Sequence, residues 1–260
     1  MLIEERHQLI LNILDTDKKI VVNDLAAKLN VSIDTIRRDL ILLEKNGLLK
    51  RTRGGAIPYV KIKANQSRNY TVRDIKTVDP FYDAIANHAC SYIKKNDTIY
   101  LAGTSIDYLM TKYMPKNFNY TVVTNSVITA DELKSFENID LYITCGKVRG
   151  RGTMNDPLTI EFLRNIRIDK AFIAGAAISA DYGLSNTTFE TAALQRTVIE
   201  ISKKTICLVP NVKLGDESFA KIVDTKDIDI LITDWEAIED EVAKIKDLGV
   251  EVIIADKIDK

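Results

Sequence analysis

Cysteine and histidine are scarce in this sequence, and their scarcity excludes several kinds of site. The 260 residues include three cysteines and two histidines. Cys90, Cys145 and Cys207 are odd in number and lack a CxxC spacing, so they indicate neither a disulfide framework nor a zinc site. This cysteine usage fits a reducing cytoplasm, and we expect no metal site.

Long hydrophobic runs are also lacking. Glu4, Glu5 and Arg6 interrupt the N-terminal segment, so it does not have the pattern of a signal peptide. No apolar run approaches the roughly 18 residues that a membrane-spanning helix needs. With 46% hydrophobic and 28% charged residues, the chain is expected to be globular and soluble, without a membrane partner.

Net charge is small, but it is unevenly distributed. The chain as a whole carries only −1, which gives no sign of a nucleic-acid partner. Residues 36–63 nevertheless contain eight Lys or Arg against two Asp or Glu, whereas residues 220–260 contain six against twelve. We therefore expect the two ends of the chain to face different partners.

The N-terminal region has the pattern of a helix-turn-helix. Apolar residues at helical spacing predict a first helix that ends near Asp15 and a second within residues 22–30, with Asn23 as its N-cap. Ser32 is the expected cap of a third helix, whose inward stripe is Ile33, Ile36, Leu40 and Leu43. Ile41 and Leu42 face outward on that helix and call for a further contact surface.

A basic hairpin follows the third helix. Gly47 is placed to end the helix, and residues 48–58, LLKRTRGGAIP, combine strand-like residues with a glycine pair suited to a tight turn. Residues 1–57 are therefore predicted to form a winged helix-turn-helix. Its third helix would present side chains to base edges in the major groove, while wing cations neutralise phosphates of double-stranded operator DNA. The candidate DNA-binding residues are Ser32, Thr35, Arg37, Arg38, Lys50, Arg51 and Arg53. The simpler alternative is a solvated charged face.

The remainder of the chain predicts an α/β domain. Residues 58–78 are polar and without periodicity, and read as a linker. From residue 79 to 260, apolar strand segments alternate with helical ones, which is typical of a Rossmann-like, mostly parallel sheet covered by helices on both faces. The expected strands lie in residues 97–105, 120–126, 140–146, 169–179, 205–211, 229–234 and 250–256, and the expected helices in residues 80–94, 105–114, 157–165, 188–202 and 236–248.

Three polar loops follow predicted strands and would share the sheet edge where ligands bind. They are residues 102–105 (AGTS), 124–126 (TNS) and 145–152 (CGKVRGRG). Together they predict an anion or phosphate site, in which the free N–H groups of the helix after 102–105 and the cations Lys147, Arg149 and Arg151 take part. Each loop alone is equally typical of turns and caps. Without GxGxxG or GxxxxGK[ST] motifs, nucleotide cofactors are disfavoured and no cofactor is expected.

A catalytic constellation is hard to find. His7 and His88 lie in predicted helices away from the loops, and Cys145 reads as a buried small residue without a nearby histidine. Asp169, Asp181, Glu190 and Lys213 are the right residue types, but their spacing demands no chemistry. We therefore expect no catalytic residues.

These segments, taken in order, resemble the DeoR family of transcriptional regulators over nearly the whole chain. The N-terminal match is LAAKLNVSIDTIRRDL followed by LEKNGLLKRTRGGA; the C-terminal matches are DTIYLAGTS, TVVTNS, DKAFIAGAAIS, YGLS, VKLG and DILITD. The resemblance implies a repressor with an effector domain similar in fold to ribose-5-phosphate isomerase. Its operator affinity would change on binding a phosphorylated sugar or related anionic metabolite, and a homo-oligomer, dimer or tetramer, is expected.

The resemblance also implies which residues bind the effector. Gly103, Thr104 and Ser105 match the family's phosphate loop, Asn125 and Ser126 its Thr-Asn-Ser element, and Lys213 its lysine before a Phe-Gly pair. The chain departs from the family at Cys145-Gly146, at 155–157, at Gln195 and at Pro210, where an aspartate is usual. The extra cations favour a more highly charged ligand. Two alternatives stay open: a sugar-phosphate isomerase-like enzyme with an appended DNA-binding domain, and a constitutive DNA-binding protein with a decayed pocket.

Overall fold

The computed structural model describes residues 3–17, 19–45, 48–58 and 80–258. The chain divides into two units, residues 1–63 and 64–260. The proposed helix end at Gly47 and nearly all of the predicted linker, 58–78, lie outside the described residues.

The described residues of the first unit form three helices and a three-stranded antiparallel sheet. Its helices are α1 (Ile3–Asp17), α2 (Val22–Leu29) and α3 (Ile33–Lys45), and its strands are β1 (Ile20–Val21), β2 (Leu49–Thr52) and β3 (Gly55–Pro58). The sheet order is β1-β3-β2. Ile10, Leu25, Ile36, Leu40 and Leu49 belong to one buried cluster, so every helix and the hairpin contribute to the same small core.

Two local expectations for this unit are wrong. Helix α2 begins at Val22, so Asn23 lies inside its first turn and is not the cap. The reason is that β1 runs directly into α2, and the Val22 N–H is already satisfied by the Gly54 carbonyl at 2.8 Å. Ile33 was expected on the inward stripe of α3, but it is exposed. Asp39 is buried instead, so the centre of the buried face of α3 lies further from Ile33 than expected.

The second unit is built on a seven-stranded sheet in which all pairings are parallel. Its strands are β4 (Thr98–Leu101), β5 (Tyr120–Thr124), β6 (Ile139–Ile143), β7 (Ile168–Ile173), β10 (Ser202–Leu208), β12 (Ile230–Asp234) and β13 (Glu251–Ala255). Their order is β13-β12-β10-β7-β4-β5-β6. A smaller antiparallel sheet contains β8 (Ala177–Ser179), β9 (Gly183–Asn186) and β11 (Ala220–Val223) in the order β11-β9-β8.

Helices cover both faces of the large sheet, as expected. The helices are α4 (Pro80–Cys90), α5 (Ser105–Met110), α6 (Val127–Leu133), α7 (Pro157–Arg164), α8 (Phe189–Ile201) and α9 (Glu239–Asp247). Alternate strand residues point to opposite faces. Residues from α4, α5 and α6 join one buried cluster, and residues from α7, α8 and α9 join the other.

The predicted strand at 169–179 is divided in two. β7 ends at Ile173, and β8 belongs to the smaller sheet. The break lies at Gly175, where a Cβ atom would be 2.5 Å from Leu184 Cδ1 and 2.9 Å from the Ser185 carbonyl oxygen of β9. Several helices are shorter than expected; α4, for example, ends at Cys90 rather than near residue 94.

The strand order places a topological switch point between β4 and β7. From β4 the chain builds outward through β5 and β6, and then returns to the other side of β4 to form β7. Ligands of open α/β sheets bind outside the carboxyl ends of the strands at such a point. A small-molecule site is therefore expected at the loops that follow β4 and β7.

Candidate functional site

The first turn of α3 is held by a hydroxyl cap. The Thr35 N–H donates to Ser32 Oγ at 3.1 Å, and the two hydroxyl oxygens are 2.8 Å apart. This confirms Ser32 as the cap. Arg37 and Arg38 are exposed, and Arg37 Nη1 lies 3.3 Å from Asp34 Oδ1. The start of α3 therefore presents polar and cationic side chains away from the core.

The hairpin forms a wing that is tied to α3. Lys50 is partly exposed on β2, Arg51 and Arg53 are exposed, and the turn passes through Gly54 with a φ of +94°. The Arg51 N–H donates to Glu44 Oε1 at 2.7 Å, and its Nε lies 3.8 Å from Glu44 Oε2. Glu44 thus fixes the wing strand against the helix that precedes it.

A buried charge cluster joins α1 to α3. Arg6 Nε contacts Asp39 Oδ2 at 2.5 Å, Arg6 Nη2 donates to Asp39 Oδ1 at 3.0 Å, and His7 Nε2 is 3.1 Å from Asp39 Oδ1. Burial alone would raise the pKa of Asp39, but the hydrogen bonds from Arg6 and His7 outweigh it and the pKa is lowered. Sequence spacing gave no signal for this cluster, because Asp39 lies more than 30 residues after Arg6 and His7.

In the second unit, the three predicted loops come together beside the switch point. The Gly103 N–H donates to Asn125 Oδ1 at 3.1 Å. A Cβ atom at Gly103 would be 2.3 Å from Thr153 Cγ2 and 3.1 Å from Ser126 Cβ. The loop after β4 is therefore packed against both the loop after β5 and the basic loop after β6, and only glycine fits at that contact.

Thr104, Ser126 and Asp107 have structural roles in these loops. The Thr104 hydroxyl donates to Asp107 Oδ2, and the Asp107 N–H donates to Thr104 Oγ1 at 3.3 Å. Because α5 has six residues and Thr104 caps it, the expected contribution of its free N–H groups to an anion site is not supported. Ser126 caps α6 by accepting from the Thr129 N–H at 3.2 Å. Ser105 begins α5 and is partly exposed.

The basic loop folds back on itself. The Arg149 N–H donates to the Thr153 carbonyl at 2.9 Å, and the Lys147 N–H donates to Asp156 Oδ2 at 2.5 Å. The side chains of Lys147, Arg149 and Arg151 are exposed. Cys145 is exposed rather than buried, because it follows β6 at the edge of the sheet. The loop carries cations at the rim of the site while its backbone is fixed.

Amide side chains continue the wall of the site beyond the residues that the sequence indicated. Asn125 Nδ2 donates to Asn155 Oδ1 at 2.7 Å, and Asn155 Nδ2 donates to Thr191 Oγ1 at 3.3 Å. One turn further along α8, Gln195 Nε2 donates to the Ala174 carbonyl at 2.7 Å. Hydrogen bonds therefore run from the end of β5, through the loop after β6, to α8 and the end of β7.

Lys213 reaches the same strand ends from the segment after β10. Its Nζ donates to the Gly175 carbonyl at 3.1 Å, a neutral acceptor. Burial lowers the pKa of Lys213, and the nearby Arg151 lowers it further, while Cys207 acts in the opposite sense. A partly buried ammonium group near a second cation is an environment that an anion would stabilise.

Buried polar atoms lie close to these residues. Within the described ranges, Asp107 Oδ1, Gln195 Oε1 and the Tyr100 hydroxyl are buried without a hydrogen-bond partner. Burial raises the pKa of Asp107 well above its ordinary value, and it also raises the pKa of Tyr100. Burial therefore favours the neutral, protonated form of the Asp107 carboxyl over the charged form. Asp107 and Thr191 were not singled out from the sequence.

The described residues provide neither a metal site nor a membrane-spanning helix. Among residues 3–17, 19–45, 48–58 and 80–258, no group of three or more His, Cys, Asp or Glu side chains is arranged to hold a metal ion. The helices formed by these residues are all too short or too polar to cross a bilayer.

Comparison with known proteins identifies both units. Residues 6–59 match the DeoR-like helix-turn-helix domain, and residues 83–235 match the DeoR C terminal sensor domain. The chain is 33% identical over 254 residues to the HTH-type transcriptional regulator GolR of Listeria innocua serovar 6a, covering 97% of this chain and 98% of that protein. It is 34% identical over 233 residues to the HTH-type transcriptional repressor GlcR of Bacillus subtilis, covering 89% and 88%.

More distant similarities were also found. The glycerol-3-phosphate regulon repressor of Haemophilus influenzae is 24% identical over 229 residues, with 88% of each chain covered. A solved ribose 5-phosphate isomerase A from Methanocaldococcus jannaschii covers 55% of each chain at 15% identity, with a TM-score of 0.38 that supports no functional argument. The two family matches and the near full-length similarity to GolR establish that the chain belongs to the DeoR family of DNA-binding transcriptional regulators.

Proposed function

We propose that this chain represses a carbohydrate-metabolism operon and that a phosphorylated sugar or related phosphometabolite changes its affinity for operator DNA. In this proposal it acts in the cytoplasm as a homo-oligomer, with residues 1–57 binding double-stranded DNA, 58–78 as linker and 79–260 sensing the effector. The names of two relatives support the regulatory class: GlcR is a repressor, and the Haemophilus protein is the repressor of a glycerol-3-phosphate regulon.

The observation that carries the effector proposal is the environment of Lys213. A buried cation is costly unless a counter-charge or hydrogen bonds compensate for its lost hydration. The Lys213 ammonium group donates to a neutral carbonyl and has Arg151 near it. An anionic group bound beside Gly103 and Lys213 would supply a negative charge to the Lys213 ammonium group, and a phosphate carries more negative charge than a carboxylate.

The rim and the wall suggest how the remainder of the ligand is held. Lys147 and Arg149 are exposed on the basic loop and are available to contact further phosphate oxygens. Asn125, Ser126, Thr104 and Ser105 stand along the same strand ends, so hydroxyl groups of a sugar have polar partners there.

For DNA, we propose that Ser32, Thr35, Arg37 and Arg38 face the major groove. Lys50, Arg51 and Arg53 on the wing then contact phosphates. The capped start of α3 and the hydrogen bond from the Arg51 N–H to Glu44 support this, because they fix the helix and wing relative to each other. Preorganised cations bind a phosphate backbone with less loss of side-chain freedom.

We also propose that the second unit is not an enzyme. At the position where the resemblance leads us to expect an acid, Pro210 offers no proton-transferring group, and Asp234 nearby is engaged by the Asn211 N–H and Nδ2, each at 2.7 Å. The isomerase-like alternative predicts measurable interconversion of an aldose and a ketose phosphate that is lost in Lys213→Ala. The regulator hypothesis predicts no turnover by the unaltered protein.

The test is DNA affinity with and without phosphorylated sugars. Fluorescence anisotropy of labelled DNA from upstream of the gene is titrated with full-length protein at fixed salt, beside scrambled DNA. We expect tighter binding to the upstream DNA and at least one sugar-phosphate pool that shifts it. Specific binding that no pool alters, together with no thermal stabilisation by any phosphorylated ligand, would support the decayed-pocket alternative.

Two glycine variants make a matched pair for this test. Gly103→Ala places a Cβ atom 2.3 Å from Thr153 Cγ2, whereas a Cβ atom at Gly150 in the basic loop meets nothing within 4 Å. We expect Gly103→Ala to abolish the effector response while operator binding without effector is retained, and Gly150→Ala to keep both. An unaltered response in Gly103→Ala would place the effector elsewhere.

A further inference from the structure

A groove in the first unit combines an apolar floor with a cationic rim. It lies between α3 and the wing, and its cations are Lys19, Arg37, Arg51 and Arg53. Val21 of β1, Ile41 of α3 and Ile57 of β3 also line it, and their exposures are 46%, 49% and 38%. Three β-branched side chains from three different elements are thus exposed in one place. Their exposure needs an explanation, since the unit has a complete core without them.

Ile41 differs from the other two because it belongs to the helix that reads DNA. At 100° per residue, Ile41 lies about 40° from Arg37 and about 60° from Arg38 around α3, and Arg37 and Ile41 both line the groove. Helical side chains lean towards the N-terminus of their helix. Ile41 therefore leans towards the turn that carries Arg37 and Arg38, which is the part of α3 proposed to contact bases.

We propose that Ile41 contacts the 5-methyl group of a thymine in the operator and is a specificity-determining residue. The major groove exposes that methyl group, and apolar side chains are the groups that recognise it. The cations around the groove are suited to the phosphates on either side of the contacted base pair. The inference rests on the proposed docking of α3 in the major groove, and adds to it a chemical requirement at one base.

Charge favours DNA over a second copy of the chain as the occupant of this groove. In a two-fold contact the same surface faces itself, so four cations would meet four cations. The nearby carboxylates of Asp34 and Glu44 already contact Arg37 and Arg51 of the same chain, respectively, so they are not available to pair with the cations of a second copy. A polyanion matches the excess of positive charge, and thymine methyls match the apolar floor.

The test uses an operator selected by the full-length protein from random DNA at fixed salt. Each thymine in a half-site is then replaced singly by deoxyuridine, which removes only the methyl group, and affinity is measured by anisotropy. For the unaltered protein we expect one thymine whose replacement weakens binding about threefold to tenfold, the size expected for one buried methyl group. Ile41→Ala should lose a similar factor on the thymine operator and show no further loss with deoxyuridine.

Leu42→Ala is the matched control. Leu42 is the neighbouring residue, has a similar exposure of 45%, and is absent from the groove lining. The Leu42→Ala protein should keep the full ratio of affinities for the thymine and deoxyuridine operators. Ile41→Val, which retains branched methyl groups, should recover part of the ratio lost in Ile41→Ala.

Several outcomes would overturn the inference. One is an operator in which no single deoxyuridine weakens binding by the unaltered protein; another is an Ile41→Ala protein with an unchanged ratio. If Ile41→Ala instead alters the sedimentation of the free protein and leaves the ratio intact, the groove is a contact between protein copies. Failure of the selection to yield any preferred sequence would count against major-groove reading itself, and so is distinguishable from failure at Ile41.

Discussion

Arg6 and Asp39 form a buried, two-pronged ion pair that fastens α1 to α3. The Nε–Oδ2 distance is 2.5 Å, the Nη2–Oδ1 distance is 3.0 Å, and both side chains are about nine-tenths buried. Asp39 follows Arg37 and Arg38 directly in α3. The pair therefore sets the orientation of the helix whose outer side carries the candidate base-reading residues.

Removing one partner of this pair should destabilise the first unit strongly. Arg6→Ala leaves the Asp39 carboxylate buried with only His7 beside it, and the loss expected for breaking a buried pair is about 3–5 kcal/mol. Hydrogen exchange of the α3 backbone amides in the full chain measures this loss of stability locally. Arg37→Ala, which breaks the exposed contact with Asp34, should change protection by less than about 1 kcal/mol. Equal effects of the two variants would show that the buried pair is unimportant.

Arg38 and Arg51 should affect DNA binding in different ways. If Arg38 reads a base, Arg38→Ala lowers the ratio of specific to scrambled affinity, by about 1–3 kcal/mol at one operator position. Arg51 lies on the wing, so Arg51→Ala should weaken specific and scrambled DNA alike and reduce the salt slope by about one unit. Anisotropy titrations at several salt concentrations separate the two. Parallel losses by both variants on both DNAs would contradict the division of roles.

Asp107 predicts a pH dependence of stability in the second unit. Burial raises its pKa in the folded state, whereas the unfolded value is about 3.9. Below the unfolded pKa both states are protonated; above it the unfolded state ionises first, so stability falls as pH rises towards the folded pKa. The slope for one such group is at most about 1.4 kcal/mol per pH unit.

The variant that tests this is Asp107→Asn, whose amide cannot ionise. Relative to it, the unaltered protein should lose stability as the pH rises above about 4, as followed by fluorescence of Trp235, the only tryptophan in the sequence, which lies in the second unit. Asp131→Asn, which removes an exposed carboxylate beside Lys134, is the control and should give a parallel pH profile. If the difference in the free energy of unfolding between Asp107→Asn and the unaltered protein does not change with pH, the Asp107 carboxyl is ionised in the folded state.

Local sequence features predicted much of this architecture, and the misses share a physical cause. The Ser32 cap, the Gly54 turn and the strands ending at Leu101 and Thr124 depend on neighbouring residues, so spacing was enough to find them. The start of α2 was misplaced because the Gly54 carbonyl, distant in sequence, satisfies Val22. The break after β7 depends on the close approach of β9.

In the candidate site, too, features set by neighbouring residues were predicted and features set by contacts distant in sequence were not. The three loops were identified because each follows its own strand, but the hydrogen bonds from Asn125 to Asn155 and on to Thr191 connect residues 30 and 36 positions apart. Only the strand order, which joins β4 to β7, shows which loops are neighbours. Sequence alone therefore indicated the kinds of residue at the site and could not define its walls.

Lys213 provides the sharpest separation of stability from ligand response. Lys213→Met keeps the apolar stem and removes the charge, so a partly buried cation without a carboxylate partner is replaced by a side chain that needs none. The free protein should be as stable as the unaltered one or more so, by up to about 1–4 kcal/mol. Binding of a phosphorylated ligand should nevertheless weaken by at least about tenfold, the loss expected for one charge-assisted hydrogen bond. Thermal shifts with and without ligand measure both quantities on one sample. A variant that is less stable yet responds fully would show that the ammonium group serves the fold rather than the ligand, because a group that compensates a bound anion cannot be removed without loss of affinity.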